Sequence, residues 1–206
     1  MAEYVDRKED IISDLIACKA AFTQADIPWV IVGGIVLGYA RYKEIMPWDT
    51  DLDIVISTEL TDERWFILHK ALAKQGFVLP RKRLDFMYCH RKTEFNLELY
   101  HRDGSFFNCL PKSTPGLKFV EKAEWYVKPQ IVNFLDSEYP MPNNIEDFVA
   151  NHYGADWKTN IIKKHEDYFM QKRGGRDQSV WLTSRAGKQG DLWPKILEVT
   201  DNMEVV

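Results

Sequence analysis

The sequence predicts an α+β domain in which helices flank a mixed β-sheet, followed by a loop-rich and partly helical carboxy-terminal part. Three observations carry this. Apolar residues recur at helical spacing near the amino terminus and give way to a short continuous apolar run, Trp29-Val30-Ile31-Val32. A second run, Asp51 to Ile56, alternates carboxylates with aliphatic side chains before becoming wholly apolar. Two more strand-like runs follow only after another helical stretch. At 206 residues the chain suits one substantial core better than two. We expect the domain over residues 1–170, with 171–206 as an extension packed on it or partly disordered.

From residue 6 to 25, Ile11, Ile12, Leu15, Ile16, Cys18, Ala21 and Phe22 form the stripe of an amphipathic first helix. Asp26-Ile27-Pro28 breaks it, and the run from Trp29 to Val32 is a buried strand that delivers Gly33 and Gly34. Ile35, Val36, Leu37, Tyr39 and Ala40 then begin a second helix, whose first backbone N–H groups face whatever sits above the strand. After Arg41, Lys43 and Pro47 comes the strand Asp51-Leu52-Asp53-Ile54-Val55-Ile56. Thr61 opens a third helix with Trp65, Leu68, Leu72 and Ala73 buried and Gly76 as its stop. Phe77 to Leu79 is extended, and strands follow at 84–90 and 95–100, separated by Arg91-Lys92-Thr93-Glu94. Beyond Gly104, Pro111, Pro115, Pro129, Pro140 and Pro142 divide a loop-rich region. A further helix starts at Asn144 and ends near Tyr153-Gly154. Trp181 and Trp193 are the anchors available to the last thirty-odd residues.

The formal charge of -4 argues against broad adhesion to nucleic acid, so no DNA or RNA partner is expected, although a local basic patch can still meet a phosphate. The amino terminus lacks the apolar core of a signal peptide and no run reaches the length of a membrane span, which points to a cytoplasmic protein. Cys18, Cys89 and Cys109 are an odd number without CxxC spacing and fit free thiols. The five histidines show no metal-ligand spacing with them.

Chemistry concentrates between Gly33 and Asp53. Alternation in the strand points the Asp51 and Asp53 carboxylates to one face, a geometry that suits a divalent cation such as Mg²⁺ or Mn²⁺. Asp49 precedes the strand and is an accessory candidate. Gly33 and Gly34 allow backbone amides to approach a phosphate, and Arg41 and Lys43 are either a phosphate clamp or surface charges. Glu98, between Leu97 and Leu99, is at a solvated edge or faces a site, because burying it unpaired is costly.

These residues resemble the DNA polymerase β-like nucleotidyltransferase superfamily, and within it the LicD/fukutin family. That family's pattern is a glycine-led GTLLG, an arginine and IPWDDDID. This chain reads Gly33-Gly34-Ile35-Val36-Leu37-Gly38, Arg41, then Ile45-Met46-Pro47-Trp48-Asp49-Thr50-Asp51-Leu52-Asp53. The distal Tyr139-Pro140-Met141-Pro142 and His152-Tyr153-Gly154-Ala155-Asp156-Trp157 are similar to the family's hxP…YLxxxYGDW region, so the likeness spans roughly Trp29 to Trp157. Gly34 stands where the family often has Thr or Ser, Thr50 replaces an aspartate, Ala155 is inserted and Glu98 takes the third acidic position.

The resemblance implies a nucleotidyltransferase-like sheet and a metal-dependent transferase. Its donor would be a CDP-activated alcohol, and a phosphocholine or pentitol phosphate would move to a hydroxyl acceptor such as a glycan. Asp51, Asp53 and Glu98 would hold the metal and carry catalysis, with Gly33, Gly34, Arg41 and Lys43 on the phosphates. One alternative is a nucleotidyltransferase that passes a nucleoside monophosphate from a triphosphate to a small molecule or protein. Another is a binding module for a nucleotide or partner without turnover.

Overall fold

The computed structural model describes residues 7–47, 49–79, 86–103, 106–109 and 119–159. Trp48, Trp181, Trp193 and the expected 171–206 extension lie outside the described residues. Helix α1 (Lys8–Ala25) buries Ile11, Leu15, Cys18, Ala21 and Phe22, as its period requires. Ile16, expected with them, is 58% exposed. At 100° per residue it lies about 140° round the helix from Ile11, off the stripe. Asp26 ends the helix in the left-handed region at φ 52°, and the Ile27 N–H returns to the Phe22 carbonyl at 3.2 Å.

A four-stranded mixed sheet forms the centre. Its strands are β1 (Val30–Val32), β2 (Asp51–Ile56), β3 (Phe86–His90) and β4 (Glu94–Leu99), in the order β1-β2-β4-β3. The β1–β2 and β3–β4 pairs are antiparallel and β2–β4 is parallel. A parallel pair needs a long crossover, and helix α3 (Asp62–Lys74) lies in it. Thr61 caps α3, its side-chain oxygen accepting the Arg64 N–H at 3.3 Å, and Asp62 and Glu63 oppose the helix dipole in the first turn. Helices α1 and α3 pack together, and α1 reaches β2. Leu52, Ile54, Val55 and Ile56 are buried on β2, and Phe95, Leu97 and Leu99 on β4.

Helix α2 (Gly33–Tyr42) leaves β1 directly. It packs on α5 (Ile145–Tyr153), which Asn144 caps by accepting the Asp147 N–H at 3.4 Å and which stops at Gly154, as expected.

The stretch past Gly104 is more regular than a loop-rich reading allows. It carries β6 (Phe106–Cys109) and β7 (Phe119–Lys122), which with β5 (His101–Asp103) make an antiparallel sheet. The short helix α4 (Glu124–Val127) follows, then a hairpin of β8 (Gln130–Phe134) and β9 (Ser137–Met141). A two-stranded hairpin has only edge strands, so Pro140 fits within β9. Trp125 and Tyr126 are core residues, 1% and 2% exposed. Cys18 and Cys89 are free and buried, and burial pushes the Cys89 thiol up to about 12. Among the described residues no helix is long and apolar enough to cross a membrane.

Candidate active site at the start of helix α2

β1 ends where α2 begins, and its antiparallel register sets Val32 opposite Asp53. The carboxylates of β2 are therefore delivered to the glycine pair. Gly33 has φ +68°, in the left-handed region, and a Cβ there would stand 2.1 Å from Asp53 Oδ2. A Cβ on Gly34 would stand 2.7 Å from both carboxylate oxygens of Asp49. The absence of two methyl groups thus lets two acids lie against the backbone. Helix α2 has no side-chain cap at Val32 and no acidic residue in its first turn. The helix start keeps its donors and positive dipole end for the groups gathered there.

Gly33→Ala is expected to remove activity and to destabilise the chain by about 1–3 kcal/mol from backbone strain alone, with displacement of Asp53 in addition. Thermal unfolding beside an activity assay checks this. A variant with wild-type melting and turnover would mean the close approach has no role.

Crowding is written into the acids themselves. Burial first, then the charges of Asp51 and Asp53, pushes the Asp49 carboxyl up to about 8, against a hydrogen bond from the Thr50 backbone. Burial, then Asp53 and Glu94, pushes Asp51 up to about 7, opposed by the Asn96 amide. Asp49 Oδ2 is buried without a hydrogen-bond partner. Such an atom costs roughly 1–3 kcal/mol, which a cation would offset.

Glu98 is not level with this pair. The parallel β2–β4 register sets Asp51 opposite Glu94, Asp53 opposite Asn96 and Val55 opposite Glu98. Glu98 therefore shares the strand face but lies two residues, about 7 Å, further along. It is half-buried, and its charge, with that of Glu121, helps raise the buried Tyr126 hydroxyl, for which burial is the main cause. Asn96 takes the position beside the acids. Its Nδ2 donates to Asp53 Oδ1 at 2.8 Å and to Asp51 Oδ2 at 3.2 Å. Strand parity was the only signal in the sequence that could have found it.

Arg41 and Lys43 sit at the other end of α2. Arg41 is eight residues from Gly33, about 12 Å along the axis. Its Nε donates to the Trp157 carbonyl, which ties the distal Asp156-Trp157 segment to α2. Lys43 is exposed, with Nζ 3.8 Å from the Tyr39 ring centroid. In the same distal segment, His152 bridges the Phe148 carbonyl at 2.8 Å through Nδ1 and Glu121 Oε1 at 3.0 Å through Nε2.

Among the described residues no three His, Cys, Asp or Glu side chains are gathered closely enough to hold a metal ion by themselves. The donor set nevertheless fits a hard cation. Its oxygens come from Asp51 and Asp53, with Asp49 Oδ2 unpartnered beside them, and Mg²⁺ commonly takes one or two carboxylates and completes its shell with substrate phosphates and water.

A strand-borne acidic pair set against a glycine-led helix start is an arrangement that a transferase built on a nucleotidyltransferase domain can use, and the family model gives that class. The chain is a member of the LicD/FKTN/FKRP family, whose nucleotidyltransferase-domain model matches residues 26–144, more than half of its length. No curated protein matches it by sequence. Among solved structures, the crystal structure of ANT(2")-Ia in complex with adenylyl-2"-tobramycin aligns over 93% of this chain and 98% of that chain, at 11% identity and a TM-score of 0.45. The solution structure of the antibiotic-resistance factor ANT(2'')-Ia aligns over 94% and 93%, at 9% identity and a TM-score of 0.47.

Proposed function

We propose that this transferase is metal-dependent and moves a phospho-alcohol group, such as phosphocholine or a pentitol phosphate, from a CDP-activated donor to a hydroxyl acceptor such as a glycan. The observation that carries the reading is the lodging of the Asp53 and Asp49 carboxylates against Gly33 and Gly34. Membership of the LicD/FKTN/FKRP family supports a nucleotide-activated donor, and the CDP-alcohol is our reading of it. Asp51 and Asp53 would hold Mg²⁺ or Mn²⁺, with Asp49 as an accessory ligand. When bound, the ion supplies neutralisation of charge on the phosphates.

The chain's own groups do the rest. Gly33 and Gly34 bring backbone N–H donors to the phosphate oxygens. The acceptor oxygen bonds to the phosphorus that bears the alcohol, the bond from that phosphorus to the bridging oxygen of CMP breaks, and CMP leaves with the electron pair. Glu98 takes the acceptor proton, and its position about 7 Å along the strand leaves room for an acceptor between it and the acids. Arg41 and Lys43 meet the more distant part of the donor.

Incubation with Mg²⁺ and labelled CDP-alcohols is expected to release CMP, with no pyrophosphate from any nucleoside triphosphate. Pyrophosphate release would instead favour transfer of a nucleoside monophosphate, and binding without turnover would leave a nucleotide-binding module. Glu98→Gln is expected to lower kcat about a hundredfold while Mn²⁺ affinity stays unchanged. Equal loss of both would make Glu98 a ligand rather than a base.

The raised acids give a pH signature. Asp49 and Asp51 hold protons up to about 8 and 7 in the folded chain, against about 3.9 when unfolded. The folded state thus binds more protons between those values. Their contribution to stability is present below about pH 4 and is lost as pH rises through 7 and 8. A cation must displace those protons. The melting temperature of the metal-free protein is expected to fall over this window, and the increment from added Mg²⁺ to grow. An increment independent of pH would place the cation elsewhere.

A further inference from the structure

Strand β4 presents Glu94, Asn96 and Glu98 on the face beside the β2 acids, and only the middle one is neutral. Asn96 is 9% exposed. Its Nδ2 holds Asp51 and Asp53 together, while its Oδ1 is buried with no hydrogen-bond partner. An amide that spends its donors on two carboxylates and leaves its acceptor orphaned is only half satisfied. Resting on the metal-dependent reading above, we propose that Asn96 is a positioning residue that sets the Asp51–Asp53 pair for a divalent cation and restricts the protein to one such ion.

The two ends of a carboxamide are nearly the same size, so a half-turn about χ2 exchanges Nδ2 for Oδ1. Without metal, the N–H groups offset the repulsion between the two acids. With a cation held by Asp51 and Asp53, the N–H groups would be disfavoured by its charge, and the half-turn would offer it Oδ1, which lacks a partner. A second dication would need a carboxylate of its own beside Asp53, where β4 places the amide of Asn96. An acid at position 96 would supply that carboxylate, whereas an amide does not.

Titration of the full chain with Mn²⁺, followed by the paramagnetic resonance of the unbound ion, tests this without reference to turnover. Wild type is expected to bind one Mn²⁺ per chain and Asn96→Asp two. Asn96→Leu, of similar size and without either polar end, is expected to bind one Mn²⁺ at least tenfold more weakly, in the range of losses seen when an outer-shell partner is removed. Asn96→Asp adds a fourth crowded acid, so its melting temperature is also read with and without Mn²⁺. A low value restored by the ion is expected. Two ions in wild type, or unchanged Mn²⁺ affinity in both variants, overturns the role of Asn96 and leaves metal dependence standing. No Mn²⁺ bound by wild type overturns both.

Discussion

Replacing Asp51 and Asp53 together by Asn is expected to lower turnover about a thousandfold or more while making the metal-free protein harder to unfold. Loss of the ion that the pair would hold removes several kcal/mol of charge stabilisation, and roughly 4 kcal/mol corresponds to three orders of magnitude in rate. The gain in stability follows from the same crowding. Burial and the charge of Asp53 are the leading causes that push Asp51 up to about 7, and both acids help push Asp49 up to about 8. Neutral amides relieve that repulsion, so the variant trades function for stability, as sites held under electrostatic strain do. The measurement is CMP release beside thermal unfolding without metal. A variant inactive because it is misfolded would melt lower than wild type. One active to within a few-fold would remove the pair from the chemistry.

The parts of the site that the sequence made legible are those fixed by local period. Alternation along a strand placed Asp51 and Asp53 on one face, and a glycine pair after an apolar run marked the start of α2. Register between strands is not local. Glu94, Asn96 and Glu98 share one parity, and nothing in the chain said which lies beside Asp53. Its place between Leu97 and Leu99 and the family resemblance singled out Glu98, whereas the β2–β4 pairing sets Asn96 opposite Asp53. The β8–β9 hairpin was hidden for a different reason. Its turn residues, Leu135 and Asp136, both have positive φ, at 50° and 59°. Neither turn position is a glycine or asparagine, and Asp136 alone carries a turn preference beside Leu135, which has none. Asp14 did carry a signal. It lies three residues after Ile11 and four before Cys18, so helical spacing puts a carboxylate on the apolar face of α1.

That carboxylate should be the most destabilising single truncation outside the site. Asp14 is fully buried, at 0% exposure. Its Oδ1 accepts from Arg91 Nη1 at 2.8 Å, and its Oδ2 accepts from the Thr93 N–H at 2.8 Å, the Thr93 hydroxyl at 2.9 Å and the Lys92 N–H at 3.2 Å. Arg91 also donates to Ser13 Oγ at 2.9 Å and, through Nε, to the Gln75 carbonyl at 2.8 Å. One acid thus fastens α1 to the turn between β3 and β4, and Arg91 extends the tie to the end of α3. Asp14→Ala removes the acceptor for all four donors, of which the Thr93 N–H and hydroxyl are buried. Breaking a buried pair from one side costs about 3–5 kcal/mol, a large share of the roughly 5–15 kcal/mol that holds a domain folded. Arg91→Ala should cost less, because Asp14 keeps its three donors from Lys92 and Thr93. Denaturant unfolding of both variants gives the comparison, and turnover of Asp14→Ala below its melting temperature should stay near wild type, since the hydrogen bonds of Asp14 run to Arg91, Lys92 and Thr93 and not to the acids of β2. Should Asp14→Ala unfold no more easily than Arg91→Ala, the hydrogen bonds to Lys92 and Thr93 contribute little, and packing of the α1 stripe alone holds the helix to the sheet.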